Sequence, residues 1–362
     1  MMSFETRFRQ VISDEGGTWT APLRTGLAML EPFYAAAVSV RNRKYDRQGP
    51  SVRVPIPVIS IGNLTVGGTG KTPFVIKLAR DIEVRGLDVA VISRGYKAQA
   101  GQRNDEHRMI AQACPGVLCM SDSDRGRAAQ AAWKRHGAKV ILLDDGFQHR
   151  TLHRDLDIVL IDATCPFGFD RLLPRGLLRE PVQSLRRAHM IVVTRSDQVS
   201  TRVLSELGEK LRSLAPNADH LQAVHRLTAV NNLKGAPLQD SLDGARVVAF
   251  SGIANPESFL TTLRILGAEV VASRFFPDHH PYSPRDFHEL FSANRWPIHD
   301  RLVTTEKDAI KLDGLSSDQK ERIFVIKIAI DFLAEGGKIL HARLEDLLTR
   351  SLDGSVPSLQ TH

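Results

Sequence analysis

Thr65-Val66-Gly67-Gly68-Thr69-Gly70-Lys71-Thr72 constrains this chain more than any other stretch. It follows the apolar run Pro57-Val58-Ile59-Ser60-Ile61 and precedes Val75, Leu78, Ala79 and Ile82, which recur at helical spacing. Strand, glycine-rich turn and amphipathic helix, in that order, frame a phosphate-binding loop. Glycines let backbone N–H groups converge where a side chain would block them, and the helix beginning at Thr72 adds the positive end of its dipole. In such a loop Lys71 would neutralise β- and γ-phosphates and the Thr72 hydroxyl would hold Mg²⁺. The strict pattern has Gly at the first position, where Thr65 stands; Gly67 and Gly68 can supply the flexibility instead.

The loop opens a series of continuous apolar strands: Val89 to Ser93, Val117 to Met120, Lys139 to Leu143, Ile158 to Ile161 and Met190 to Val193. Helical segments, such as Arg125 to His136, alternate with them. Strands apolar at every position belong to parallel sheets covered on both faces. The expected fold is therefore α/β: a P-loop doubly wound parallel sheet. Ligands in such sheets bind beyond the carboxyl ends of the strands. A second series, with strands at Val247, Val270, Leu302 and Phe324 and helices at Pro256–Leu266 and Pro284–Asn294, implies a second, smaller α/β domain. The expected division is residues 1–50 as an N-terminal segment, 51–228 as the P-loop domain and 229–362 as the smaller domain.

Composition narrows the partners. The chain of 362 residues carries a net charge of +7, and its three cysteines, Cys114, Cys119 and Cys165, form no CxxC pair. That cysteine pattern argues against a disulfide framework or a zinc site. Aromatics at 6% and the lack of a recognisable DNA- or RNA-binding motif argue against nucleic acid. Before residue 50, Leu23, Leu27, Leu30 and Tyr34 recur at helical spacing, extended by Ala37 and Val38; Arg41, Arg43, Lys44, Arg47 and Arg53 follow against the single acid Asp46. Arg24 and Glu31 interrupt the stripe, so it is a poor transmembrane span. An apolar face followed by a basic cluster suits a helix lying on an anionic lipid surface; a helix packed against its own protein shows the same stripe.

Several polar clusters fall at strand ends. Leu142-Leu143-Asp144-Asp145-Gly146 ends an apolar strand in two acids, where a P-loop enzyme needs a carboxylate for Mg²⁺ or its bound water. Neighbouring strand residues face opposite ways, so one acid would ligate while the other orients. Asn104-Asp105-Glu106 lies between two strand–helix units. Ser93-Arg94-Gly95-Tyr96 and Asp124-Arg125-Gly126-Arg127 place arginines at positions that suit phosphate oxygens or surface ion pairs. Phe276-Pro277-Asp278-His279-His280-Pro281-Tyr282 offers an Asp-His couple that could serve as a base and its orienter. His149 and His153 have helical metal spacing but sit in a connector. Thr304-Thr305-Glu306-Lys307-Asp308 reads as a polar site edge or a helix cap.

Taken in order, Ile61-Gly62-Asn63-Leu64 with the loop through Pro73, Ser93-Arg94-Gly95-Tyr96, Asp144-Asp145-Gly146-Phe147-Gln148-His149, Leu173-Pro174 with Leu178-Arg179-Glu180-Pro181, Phe276-Pro277-Asp278-His279 and Thr304 to Asp308 resemble the tetraacyldisaccharide 4′-kinase family, the lipid A 4′-kinases of Gram-negative bacteria. The resemblance implies transfer of the γ-phosphoryl group of ATP to the 4′-hydroxyl of a tetraacylated glucosamine disaccharide 1-phosphate. It implies work at the cytoplasmic face of the inner membrane, as a peripheral protein on an anionic surface. It gives Thr65, Val66, Gly67, Gly68, Thr69, Gly70, Lys71 and Thr72 to the ATP phosphates, with Arg94, Arg125 and Arg179 lining phosphates and Glu180 near the nucleoside. The resemblance also implies that Thr72, Glu106, Asp144 and Asp145 would form the Mg²⁺ neighbourhood and that Asp105, assisted by His279, would be the catalytic base beside Lys71. The family reads Gly-Asp-Glu where this chain has Asn104-Asp105-Glu106. The alternative is a P-loop ATPase or GTPase switch acting on a protein partner; the loop lacks the early Lys common in such switches, and no Asn-Lys-x-Asp guanine motif is present.

Overall fold

β1 (Val58–Asn63) is buried at every position, and its neighbours explain why. The structure, a computed structural model, describes residues 8, 10–13, 17–94, 105–239, 241–292, 296–298 and 300–352. Gly95, Tyr96, Asn104 and Asn294 lie outside the described residues. The chain divides into two compact units: Thr25–Val224 with Ile330–His362, and Met1–Arg24 with His225–Ala329.

In the larger unit β1 is joined by β2 (Val89–Ser93), β3 (Leu118–Ser121), β4 (Val140–Asp144), β5 (Leu156–Asp162), β6 (Met190–Thr194) and the first part of β7 (Asp219–Asn232). The order is β3-β2-β4-β1-β5-β6-β7, every pairing parallel. α1 (Ala21–Gln48) precedes the sheet; α2 (Lys71–Glu83), α3 (Asp105–Ala113), α4 (Arg125–His136) and α5 (Thr201–Leu214) fill the crossovers. One sheet face presents Ile59, Ile61, Val91, Leu142 and Leu160 to Phe74, Leu78 and Ile82 of α2 and Ile110 of α3. The alternate residues Val58, Ile92, Ile141 and Leu143 meet Ala128, Ala129 and Ala132 of α4, and Val159, Ile161 and Ile191 meet Leu207 and Leu211 of α5. Burial on both faces accounts for the unbroken apolar runs. β1 pairs with β4 and β5, and the β1–β4 register sets Ile61 opposite Asp144.

The smaller unit is also an α/β layer. β8 (Arg246–Ser251), β9 (Glu269–Phe275), β10 (Arg301–Thr305) and β11 (Ile323–Phe332) run parallel in the order β11-β10-β8-β9. α6 (Pro256–Ile265) and α7 (Pro284–Phe291) cover opposite faces, through Leu260 and Leu263 on one and Phe287 and Leu290 on the other. α8 (Glu306–Ala309) and α9 (Ser317–Arg322) complete it. β11 then carries the chain back, and α10 (Gly336–Leu352) buries Leu340, Leu344 and Leu348 in the same core as Phe74, Val75 and Leu78 of α2. The smaller unit therefore does not run to the C-terminus, as a simple division at residue 229 would have it. The leucine period of α10 signals an amphipathic helix but not which sheet receives it.

α1 also differs from a single apolar stripe. Leu27, Tyr34 and Val38 are half-buried to buried, whereas Leu23 and Leu30 are exposed, as are Met29, Phe33 and Val40. The stripe grouped by spacing is therefore covered at some positions and open at others.

Candidate active site

The loop between β1 and α2 is held from several sides. Gly67 (φ 126°) and Gly70 (φ 88°) take left-handed backbone conformations that favour glycine. The Thr194 hydroxyl at the end of β6 donates to the Thr69 carbonyl at 3.0 Å, and Arg195 donates to the Gly68 carbonyl at 3.0 Å while pairing with Asp162 at the end of β5. On the other side Val66 N–H donates to the Leu177 carbonyl at 2.8 Å, and Arg179 N–H to the Leu64 carbonyl at 2.8 Å. Lys71 and Thr72 begin α2, where the helix's unpaired N–H groups and dipole favour an anion.

The two acids after Leu143 stand beside this loop because β4 pairs with β1. The strand alternation stops at Asp145, which is left-handed (φ 54°). A Cβ on Gly62 would lie 2.6 Å from Phe147 Cβ, so β1 passes flush against the turn. The Lys71 ammonium lies 3.3 Å from Asp145 Oδ1 and 3.2 Å from Asn63 Oδ1. Arg179 Nη1 donates to Asp145 Oδ2 at 2.7 Å, and the buried Arg125 donates to the Asp145 carbonyl at 2.8 Å. Burial pushes the Asp144 carboxyl up to about 6, against the pull of Lys71 and with the push of Asp145 and Glu106. Burial works in the same direction on Asp145, but Lys71, Arg179 and Arg125 outweigh it and hold that carboxyl well below the usual range. Asp144 Oδ1 is buried and has no hydrogen-bond partner. An orphaned carboxylate oxygen beside a second acid, at the end of the strand that pairs with β1, is a hard-oxygen donor that suits Mg²⁺ completed by phosphates. Among the described residues no group of three or more His, Cys, Asp or Glu could hold a metal alone.

The other expected site residues separate into groups. Asp105 and Glu106 form the first turn of α3, and Glu106 is near enough for its charge to act on Asp144. Arg94 is exposed at the end of β2, and its charge acts on Arg125 and on His149. Glu180 is different: it is 0% exposed, and its two oxygens accept from Arg41 at 2.7 Å and Arg187 at 2.6 Å. Of the two connector histidines, His153 pairs with Asp155 at 3.3 Å.

His279 belongs to the smaller unit. It is left-handed (φ 62°), its N–H donates to Asp278 Oδ1 at 3.1 Å, and Lys307 reaches both Asp278 Oδ1 (2.7 Å) and His279 Nε2 (3.3 Å). A lysine only donates, so Nε2 is the acceptor in this arrangement. Thr305 caps α8, and the buried Asp308 accepts from Gly252 N–H, Tyr282 and Thr305, so the Thr304-to-Asp308 motif is a cap and a loop anchor.

The sequence places Asn63 in a motif without a role, and it gives no sign of Asp162, Thr194 or Arg195. All four end strands or follow them directly, and the rule that ligands bind at the carboxyl ends of parallel strands would have pointed there.

A sequence profile of the tetraacyldisaccharide-1-P 4′-kinase family matches residues 23–349. A tetraacyldisaccharide 4′-kinase of Anaeromyxobacter dehalogenans is 39% identical over 345 residues, covering 89% of this chain and 90% of that protein. One from Geobacter metallireducens is 40% identical over 311 residues, covering 80% and 89%. A crystal structure of LpxK from Aquifex aeolicus in complex with ATP superimposes with a TM-score of 0.66 at 30% identity, covering 91% of this chain and 99% of that one.

Proposed function

The chain belongs to the tetraacyldisaccharide-1-P 4′-kinase family, and from that premise we propose how its residues carry the reaction. It is a kinase of lipid A assembly, transferring the γ-phosphoryl group of ATP to the 4′-hydroxyl of a tetraacylated glucosamine disaccharide 1-phosphate. The switch reading is not favoured: the relatives matched over most of their length are kinases.

The observation that carries the assignment of roles is the Lys71–Asp145 pair, which joins the phosphate loop to the acid-bearing end of the neighbouring strand. Lys71, the loop N–H groups and the start of α2 bind the β- and γ-phosphates. Arg179, Arg125 and Arg94 add charge to that end of the sheet. Thr72, Asp144 and Asp145, with Glu106 alongside, would hold Mg²⁺. Bound there, the ion would neutralise charge on the β- and γ-phosphates. Asp105 accepts the proton of the sugar hydroxyl as the phosphoryl group transfers; in a loose transition state the proton leaves late, so an ordinary carboxylate suffices. The same reading gives His279 a part in the transfer.

The exposed side of α1 supports a peripheral place on an anionic lipid surface, the cytoplasmic face of the inner membrane. Met29 is 69% and Phe33 75% exposed, with Leu23, Leu30 and Val40 beside them and Arg43, Lys44 and Arg47 exposed at the end of the helix. Apolar bulk followed by cations matches acyl chains below anionic headgroups. Among the described residues no helix is long and apolar enough to cross a membrane.

The test is transfer of radiolabel from [γ-³²P]ATP to the disaccharide 1-phosphate lipid. Label in the lipid that depends on the acceptor's free 4′-hydroxyl is expected; release of phosphate with no labelled lipid would overturn the kinase reading.

A further inference from the structure

We propose that Tyr34 and Arg41, on the inward side of α1, are positioning residues for phosphoryl transfer that act through Arg179. The inference rests on the reading of Arg179, Asp145 and Lys71 as the phosphate end of the site. Their hydrogen bonds go to Arg179 and Glu180 rather than to the loop or to Asp144 and Asp145.

α1 grips one segment with three side chains spaced to share a helix face. Glu31 Oε1 accepts from Leu172 N–H at 2.8 Å, the Tyr34 hydroxyl donates to the Arg179 carbonyl at 3.0 Å, and Arg41 donates to Glu180 at 2.7 Å. The far end of that segment carries the guanidinium that meets Asp145. Arg179 is thus fixed at its carbonyl by Tyr34, at its N–H by Leu64, and through the next residue by Arg41.

Glu180 makes the grip firm. Its carboxylate is fully buried, and Arg187, stacked 4.5 Å over the Phe147 ring, supplies the second guanidinium. A buried carboxylate needs both partners; with one removed the segment must shift or admit water. Phe147 lies two residues beyond Asp145, so Glu180 and Arg187 also tie the segment to the turn that bears the acid. The path runs from α1 to Arg179, from Arg179 to Asp145 at 2.7 Å, and from Asp145 to Lys71 at 3.3 Å. Each link is a charged or hydrogen-bonded contact of fixed geometry, and a misplacement of about 1 Å at a charged phosphate contact can cost about 10²-fold in rate. The helix whose other side faces outward with apolar residues therefore also holds a phosphate-site arginine in register.

The experiment is a double-mutant cycle in kcat on the full chain, with detergent-dispersed acceptor, for Arg41→Ala, Arg179→Ala and the double variant. Arg41→Ala is expected to lower kcat about tenfold, and Arg41→Lys, which keeps the charge, to recover part of the loss. In the Arg179→Ala background the Arg41 change should cost less than about twofold, because its route to the chemistry is already gone. Tyr34→Phe, which removes only the hydroxyl, is expected to lower kcat a few-fold with an unchanged Tm, and covers the case in which Arg41→Ala does not fold. Independent, multiplicative losses in the double variant would overturn the inference, as would wild-type kcat in both Arg41→Ala and Tyr34→Phe while Arg179→Ala is impaired. Wild-type kcat in Arg179→Ala would overturn the phosphate-site reading and this inference with it.

Discussion

Lys71 Nζ lies 3.3 Å from Asp145 Oδ1, and so the lysine of the glycine-rich loop is paired with the acid after the neighbouring strand. The pair is shared: Asn63 takes a second contact of the lysine and Arg179 the other oxygen of the acid. Phosphate oxygens at this point would compete with Asp145 for Lys71, and a cation would compete with Lys71 for Asp145. A cation bound together with phosphate oxygens would satisfy both groups at once.

Lys71→Ala should remove transfer, with kcat falling by about 10²-fold or more, as for loss of a principal charge partner of the transferred group. Steady-state transfer to the lipid measures it, and near-normal turnover would remove the phosphate-loop assignment.

Asp105→Ala and His279→Ala should each lower kcat by orders of magnitude while the KM for ATP changes little, since neither is assigned to nucleotide binding. A variant that keeps wild-type kcat shows that its residue has no part in proton transfer.

Asp144→Asn should stabilise the metal-free protein at pH 8 while abolishing activity. The folded carboxyl ionises only near pH 6, so above that value the fold carries a buried charge it disfavours. The neutral side chain relieves about 1–3 kcal/mol at pH 8, and the advantage disappears below about pH 4, where the carboxyl is protonated in both states. Thermal unfolding in EDTA across that range reads it; an Asn variant less stable at pH 8 counts against the burial argument.

His149 predicts an acid-side loss of stability. Burial first, then Arg125 and Arg154, lower its pKa from 6.5 to about 4. Between those values the unfolded chain binds more protons, so stability falls as the pH falls from 6.5 towards 4. After allowance for solvent screening of a half-buried ring, about 1–2 kcal/mol is at stake. His149→Gln should flatten the urea-unfolding free energy across this window; an unchanged slope would assign the acid lability elsewhere.

Phe33→Asp combined with Met29→Asp should abolish sedimentation with anionic vesicles, raise the lipid KM and leave Tm unchanged, because both side chains face solvent. Deleting the whole helix is a poorer test, since it also removes Tyr34, which holds the Arg179 carbonyl. Unaltered vesicle binding in the double variant would leave α1 with its packing role alone.

The phosphate loop, the parallel doubly wound sheet and the acids after β4 were legible in the sequence because each follows from local rules. Glycines mark positive φ, a strand buried on both faces must be apolar throughout, and a helix start attracts phosphate wherever it occurs. Spacing in α1 groups Leu23 and Leu30 with Leu27 and Tyr34, yet the first two are exposed and the other two half-buried, because a period shows which residues can share a face and not what covers it. The leucines of α10 gave no sign that they belong to the core of α2 rather than to the unit just before them. Glu180 kept its place in a motif, but its two arginines, Arg41 and Arg187, come from sequence distances that no local pattern spans. Likewise Arg195 reaches the loop only because β5 and β6 lie beside β1 in the sheet order. What the sequence by itself determined was the chemistry available at each strand end. Which charges meet, and which are taken out of water, was decided by tertiary structure alone, since both depend on distance through space rather than along the chain.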